Sequence, residues 1–258
     1  MLLFKRILNF TRQKVADSEQ RGAERYAVGA AVQFKAAVRL ARHDSAGRPD
    51  PRGRQGPDLP ARVVNLSTLG ASVQLPAGAE AHHGEDCLFR LDLDGYHLDI
   101  PGKVAYFRAF PDHATCGVAF AFDFFEVRKA YLQLLEAVAI GASLAPVKAD
   151  DIKPDATGLE REVYRGKEAA QLSVWRKEAD GEIHRFDFRM NDYGVRWSLG
   201  ETELETYACG KGPGRKAVGT PLTKAEHEEV SWLFCLAVPN LARSVQADVR
   251  KFLSALVA

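Results

Sequence analysis

The sequence predicts an α+β chain that is mainly β: a six-stranded antiparallel barrel closed by a helix, then a smaller domain of antiparallel strands plus two helices. Three observations carry this. Six short apolar or alternating runs, separated by turn residues, fill residues 30–124. Helical periodicity follows directly in "FEVRKAYLQLLEAVAIG", residues 125–141. After it, periodicity lapses over residues 143–160 and a second set of strands begins.

Taken in order, residues 1–19 read as an amphipathic helix, with Leu3, Phe4, Ile7, Leu8 and Val15 near helical spacing and Lys5, Arg6, Arg12 and Lys14 among them. Such a helix docks on its own protein, on a sister subunit in a homodimer, or on an anionic membrane. "RGAER", residues 21–25, breaks it with glycine and charge, and "AAVQFKAAVRLA" reads as the first strand. Residues 42–60, "RHDSAGRPDPRGRQGPDLP", are dense in proline, glycine and charge and read throughout as a flexible loop. "ARVVN" and "GASVQL" flank the hairpin signal "LSTLG"; "EDCLFRLDLD" and "YHLDIPGKVAYFRAF" meet across Gly95; "ATCGVAFAFDF" ends the series. A closed barrel leaves no exposed sheet edge, which is why six strands at this spacing favour closure.

Residues 143–160 carry two prolines and read as a linker; residues 161–258 form the second domain. "AAQLSVWRK", "GEIHRFDFRMN", "YGVRWSLG" and "ELETYACG" read as its strands, with Trp175, Phe186, Phe188 and Trp197 as core aromatics. Thr223 and Glu226 have capping-box spacing for a helix that stops near Pro239, and a last helix is expected from about Leu241 to Leu256.

Composition narrows function. With 35 basic and 34 acidic residues the net charge is +1, so no overall field favours DNA or RNA. No run approaches the ~20 apolar residues of a membrane span. Lys5 and Arg6 interrupt the leading apolar stretch and no small-residue cleavage site follows, so it does not read as a secretory signal, and the expected compartment is the cytoplasm. The four cysteines lack C-x-x-C spacing and read as reduced and buried. His82 and His83, adjacent in sequence, lack the spacing of a helical metal pair and read as a polar turn; "CGKGPGRKAVGT" does not fit a phosphate-loop pattern. No catalytic constellation stands out, so no enzyme is expected, and no cofactor or metal.

One stretch raises a sharper question. In "VVNLSTLGASVQL", residues 63–75, Asn65, Ser67 and Gly70 are residues a turn favours. Asn65 and Ser67, two apart on a strand, also point the same way and can face a ligand. Upstream, Arg21 and Arg25 are four apart, which puts both guanidinium groups on one side of either a helix or a strand. Arginine pairs at that spacing recur at Arg48/Arg52, Arg161/Arg165 and Arg185/Arg189, where they read as solvated surface charge.

The ordered combination of "RGAER", a long strand, "NLSTLG", further strands and a helix resembles the PilZ family over residues 20–142, including its R-x-x-x-R and D/N-x-S-x-x-G signatures. The resemblance implies a six-stranded barrel and a ligand, the second messenger cyclic di-GMP, held by Arg21, Arg25, Asn65, Ser67 and Gly70. An arginine fork suits both moieties of that ligand, meeting phosphate or the N7/O6 edge of guanine bidentately. Gln20 stands where many members of the family carry a further arginine. On this reading the chain is a bacterial receptor that passes messenger binding to a protein partner through its N-terminal helix or C-terminal domain. The alternative is a PilZ-type interaction scaffold that binds no nucleotide.

Overall fold

A computed structural model describes residues 23–29, 35–43, 50, 55–93, 96–152, 158–167, 169–209 and 222–257. The expected N-terminal helix, Arg21, Arg48, Arg52, Arg54, Gly95 and the glycine-rich stretch 210–220 lie outside them.

The first half is β1 (Arg25–Ala27), β2 (Lys35–Ala41), β3 (Gln55–Ser67), β4 (Gly70–Pro76), β5 (Asp86–Leu93), β6 (Tyr96–Ala109) and β7 (His113–Phe120), followed by α1 (Phe125–Ala142). Hydrogen-bonded neighbours run β3-β2-β5-β6-β7-β4, and β4 returns to pair with β3, closing a six-stranded antiparallel barrel. The added strand β1 pairs with the end of β3, past the last residue that β2 reaches. Val38, Leu66, Val73, Phe89, Ile100 and Cys116 fill the interior and are fully buried. Tyr131 of α1 closes one end, its ring edge-on to Phe120 with centroids 4.9 Å apart.

The loop expected over residues 42–60 is corrected at its C-terminal end. Residues 55–60 are strand, and Leu59, Pro60 and Ala61 pair with Val38, Ala37 and Ala36 of β2. Proline is tolerated there because β4 reaches only Arg62 on the other side of β3, so the preceding residues form a sheet edge where a missing N–H is harmless. Charge holds the segment down. Asp58 accepts from Arg39 Nε and Nη2 at 2.9 and 3.0 Å and also pairs with Arg90, which bonds Asp99 on β6.

The second half comprises β8 (Ala145–Pro146), β9 (Glu160–Arg165), β10 (Gln171–Arg176), β11 (Ile183–Met190), β12 (Tyr193–Ser198) and β13 (Glu205–Ala208), in that order across one antiparallel sheet, with α2 (Lys224–Ala237) and α3 (Ala247–Ala255). Leu172, Phe186, Phe188, Val195 and Phe234 make its fully buried core. Thr223 and Glu226 form the expected capping box reciprocally. Residues 238–246 are a short 3-10 turn and loop, so the last helix starts six residues later than periodicity suggests; Asn240 inside the gap donates from Nδ2 to the Leu236 carbonyl at 2.7 Å.

The division between the two compact units falls within α1, after Leu135. The expected linker starts differently, because Ala145 and Pro146 already pair with Arg165 and Tyr164. Gly141 marks where α1 meets α2: a Cβ there would stand 2.2 Å from the Ala237 carbonyl oxygen. All four cysteines are free; Cys87, Cys116 and Cys209 are buried, whereas Cys235 on α2 is exposed, contrary to the expectation from sequence. Trp175 also departs from expectation. It is buried, but its register partners Arg161 and Arg185 place it on the sheet face opposite Phe186 and Phe188.

Candidate functional site

A β-bulge decides which way the motif faces. Val63 pairs with Val73 and Asn65 with Ser72, so Val64 is the extra residue on β3. Without it, alternation from the buried Val63 would turn Asn65 inward and Leu66 outward. With it, Leu66 is fully buried and Asn65 sits half-exposed on the outer face. A matching bulge on β6, between Val104 and Tyr106, turns Tyr106 outward after the buried Val104.

Backbone pairing brings the upstream arginine to the motif. Arg25 lies opposite Ser67, Tyr26 opposite Leu66 and Ala27 opposite Asn65, and the Val28 N–H donates to the Val64 carbonyl at 3.1 Å. Residues directly opposite across antiparallel strands share a face, so Arg25, Asn65 and Ser67 lie together on the outer surface. Arg25 is exposed. Among the described residues neither its guanidinium nor the Asn65 amide has a hydrogen-bond partner.

Ser67 and Gly70 are different. The Ser67 hydroxyl donates to the Gly70 carbonyl at 3.2 Å and accepts from the Leu69 N–H at 3.4 Å, closing the two-residue turn. Gly70 does not need a positive φ. A Cβ there would stand 2.2 Å from the Val118 carbonyl oxygen, so the residue is glycine because β7 passes against it. The turn reading thus accounts for these two positions and the strand-face geometry for the other two that the structure describes.

Sequence reasoning missed Tyr106. The outer-face row Ala27, Asn65, Ser72, Gly117, Tyr106 runs across five strands. The Tyr106 ring lies over Gly117, where any Cβ would overlap it, and its hydroxyl meets the Ser72 hydroxyl at 2.6 Å. It remains 40% exposed. An aromatic face therefore stands one strand beyond the Ser72 that neighbours Asn65. The only sequence signal is Gly117 in "TCGVAF", a strand glycine of the kind that admits a close aromatic neighbour.

At another part of the barrel, His43 Nε2 and Glu85 Oε1 are 2.8 Å apart, both side chains at least nine-tenths buried, while the other Glu85 oxygen accepts from the His82 N–H at 3.0 Å. The polar turn read in the sequence is present here as a hydrogen-bonded one. The ligating atoms of His43, His82 and Glu85 lie within 4.8 Å of one another. No helix among the described residues is long and apolar enough to cross a membrane.

Comparison with known proteins adds the following. Residues 19–137 match the family model of the PilZ domain. A solved structure described as the PilZ domain with c-di-GMP of YcgR from Escherichia coli is 12% identical, with a TM-score of 0.32, and the match covers 45% of this chain and 87% of that one. A likeness of that size carries no argument by itself. No curated protein matches the chain.

Proposed function

Starting from a PilZ domain at residues 19–137, we propose that this chain is a receptor for cyclic di-GMP, with its ligand on the outer barrel face around Arg25, Asn65 and the Ser67–Gly70 turn. One observation supports the reading: in the β1–β3 register Arg25 pairs with Ser67, two residues along β3 from Asn65, and among the described residues neither the Arg25 nor the Asn65 side chain has a hydrogen-bond partner. Arg25 supplies a planar fork for phosphate or the guanine edge. Asn65 adds a donor and an acceptor, and Tyr106 a stacking face. Arg21, four residues before Arg25, is the second fork. Ser67 and Gly70 contribute by shaping the turn, leaving the Thr68 and Leu69 backbone at the rim.

The receptor has no catalytic role on this reading, and the messenger is a ligand and not a cofactor. It acts in the bacterial cytoplasm and signals to a protein partner. Two routes lead outward: residues 1–19, which join the barrel through the Arg21–Arg25 segment, and α1, whose first half belongs to the barrel unit and whose second half belongs to the other. Binding that favours one arrangement of β1 shifts the population presented at either end.

Titration calorimetry of the whole chain with cyclic di-GMP and with GTP tests this. Saturable binding of cyclic di-GMP, abolished in Arg25→Ala and in Arg21→Ala, is the expected result. Equal affinity in both variants overturns the site. A folded chain with no affinity would favour the scaffold alternative, which has its own support in that Ser67 and Gly70 are fully employed by the barrel.

A further inference from the structure

The two arginine pairs set aside in the sequence as surface charge, Arg161/Arg165 and Arg185/Arg189, come together in the fold. Arg161 lies opposite Trp175 and Trp175 opposite Arg185; Arg165 lies opposite Gln171 and Gln171 opposite Arg189. Strands β9 and β11 flank β10, so the backbone positions of the four arginines mark the corners of a rectangle on one sheet face. Two strand spacings make it roughly 10 Å wide, and four residues of rise make it about 13 Å long.

Four like charges on one face repel one another unless acids or an anion offset them. Arg176 and Arg196 in the same sheet have carboxylate partners, Glu162 and Asp248 for the first and Glu205 for the second. None of the four has one among the described residues. Asp187, between Arg185 and Arg189 on β11, is engaged by the Tyr207 hydroxyl and is within ion-pair distance of none of them.

Three of the four are also held in place. Arg161 and Arg185 stack on the Trp175 ring from its two flanking strands, with guanidinium carbons 5.0 and 4.7 Å from the centroid. Stacking occupies the face of a guanidinium and leaves N–H groups at its edge to bond an oxyanion. The Ser173 hydroxyl accepts from Arg161 Nη2 and from Gln171 Nε2, both at 3.2 Å, and Arg165 Nε donates to Gln171 Oε1 at 3.4 Å, which links the two ends of the rectangle. Arg161 Nε is buried with no partner. Guanidinium groups fixed beforehand lose little freedom on binding.

We propose that this face of the second unit is a binding site for a small ligand carrying two or more phosphate groups, of the nucleoside polyphosphate class, with forks at both ends of the rectangle meeting separate phosphates. A phosphate matches a guanidinium fork bidentately, and arginines anchored at backbone positions about 13 Å apart suit a ligand with more than one such group. The proposal is independent of the cyclic di-GMP site.

Calorimetry of the whole chain with adenosine triphosphate, inorganic tripolyphosphate and a ten-nucleotide single strand, each at two salt concentrations, tests it. The expected result is saturable binding of adenosine triphosphate or tripolyphosphate that is unchanged in Arg25→Ala, at least tenfold weaker in Arg165→Gln and in Arg189→Gln, and weakened also by Arg161→Lys and Arg185→Lys. Arg165 and Arg189 do not touch Trp175, so their variants read out binding even where the lysine variants loosen the sheet. No binding of any probe, lysine variants that bind like the parent, or binding of the oligonucleotide alone each overturns the proposal. Loss of cyclic di-GMP binding in Arg25→Ala bears only on the first site.

Discussion

The Tyr131 hydroxyl donates to the carbonyl of Ser67 at 2.7 Å, so the first half of α1 is tied by a buried bond to the strand that carries Asn65 and Ser67. Burial pushes the phenol far above its usual range, so near neutral pH Tyr131 is a donor. Tyr131→Phe keeps the contact with Phe120 and removes the bond alone. We expect a loss of about 1–2 kcal/mol in urea unfolding, with weaker messenger binding as the turn loosens. Coincident unfolding curves would show that the bond contributes nothing.

Arg25 and Gly70 should respond in opposite ways. Gly70→Ala drives a methyl group into the Val118 carbonyl and should cost about 1–3 kcal/mol of stability whether or not ligand is present. Arg25→Ala removes an exposed side chain that has no partner among the described residues and should leave stability within about 0.5 kcal/mol while removing affinity at the proposed site. Thermal melts run beside ligand titrations separate the two effects. A large loss of stability in Arg25→Ala would mean that the guanidinium serves the fold.

The thiols differ sharply in environment. Burial pushes Cys87 up to about 12, and Cys116 and Cys209 up to about 11, so none of the three offers much thiolate near neutrality. Cys235 is the exposed one, although partial desolvation raises its pKa as well. A thiol reagent should therefore modify one cysteine in the native chain and four after denaturation, the native rate rising with pH. Native modification at Cys87 would contradict the closed barrel.

Acid should reach the outer charge ladder in a definable way. The hydrogen bond from Arg90, and then its charge, hold the Asp99 carboxyl below its usual range. Because the folded value lies below the unfolded one, this contribution is present above the ordinary carboxylate range and is lost as pH falls through the folded value. The pair is well exposed, so the effect is small and screened by salt. Unfolding of the parent and of Asp99→Asn should differ slightly at neutral pH and low salt and converge in acid; a difference that grows in acid would reverse the assigned sign.

Much of this was legible beforehand and some was not, for identifiable reasons. The strand runs from Ala61 onward and the Thr223 box follow from local pattern, and the structure has both. Residues 55–60 were read as loop because proline and glycine signal turns locally, whereas Arg39 and Arg90, distant in sequence, recruit Asp58 and with it the strand. Trp175 was read as core because alternation reports burial and cannot tell a helix-covered face from one covered by arginines. Bulges at Val64 and before Tyr106 leave no mark in a two-residue periodicity, yet they turn Asn65 and Tyr106 outward. Arg25 could be matched to Ser67 only through a family resemblance, since 42 positions separate them and the register is a property of the folded sheet.

The turn from Ser67 to Gly70 also bears on how such sequences drift. A descendant in which the proposed site were lost would still need the serine to close the hairpin and the glycine to let the neighbouring strand pass, whereas Arg25 and Asn65 would be free to change. The serine and glycine would outlast the activity as architectural fossils, and a receptor is better recognised by the two residues its scaffold does not require.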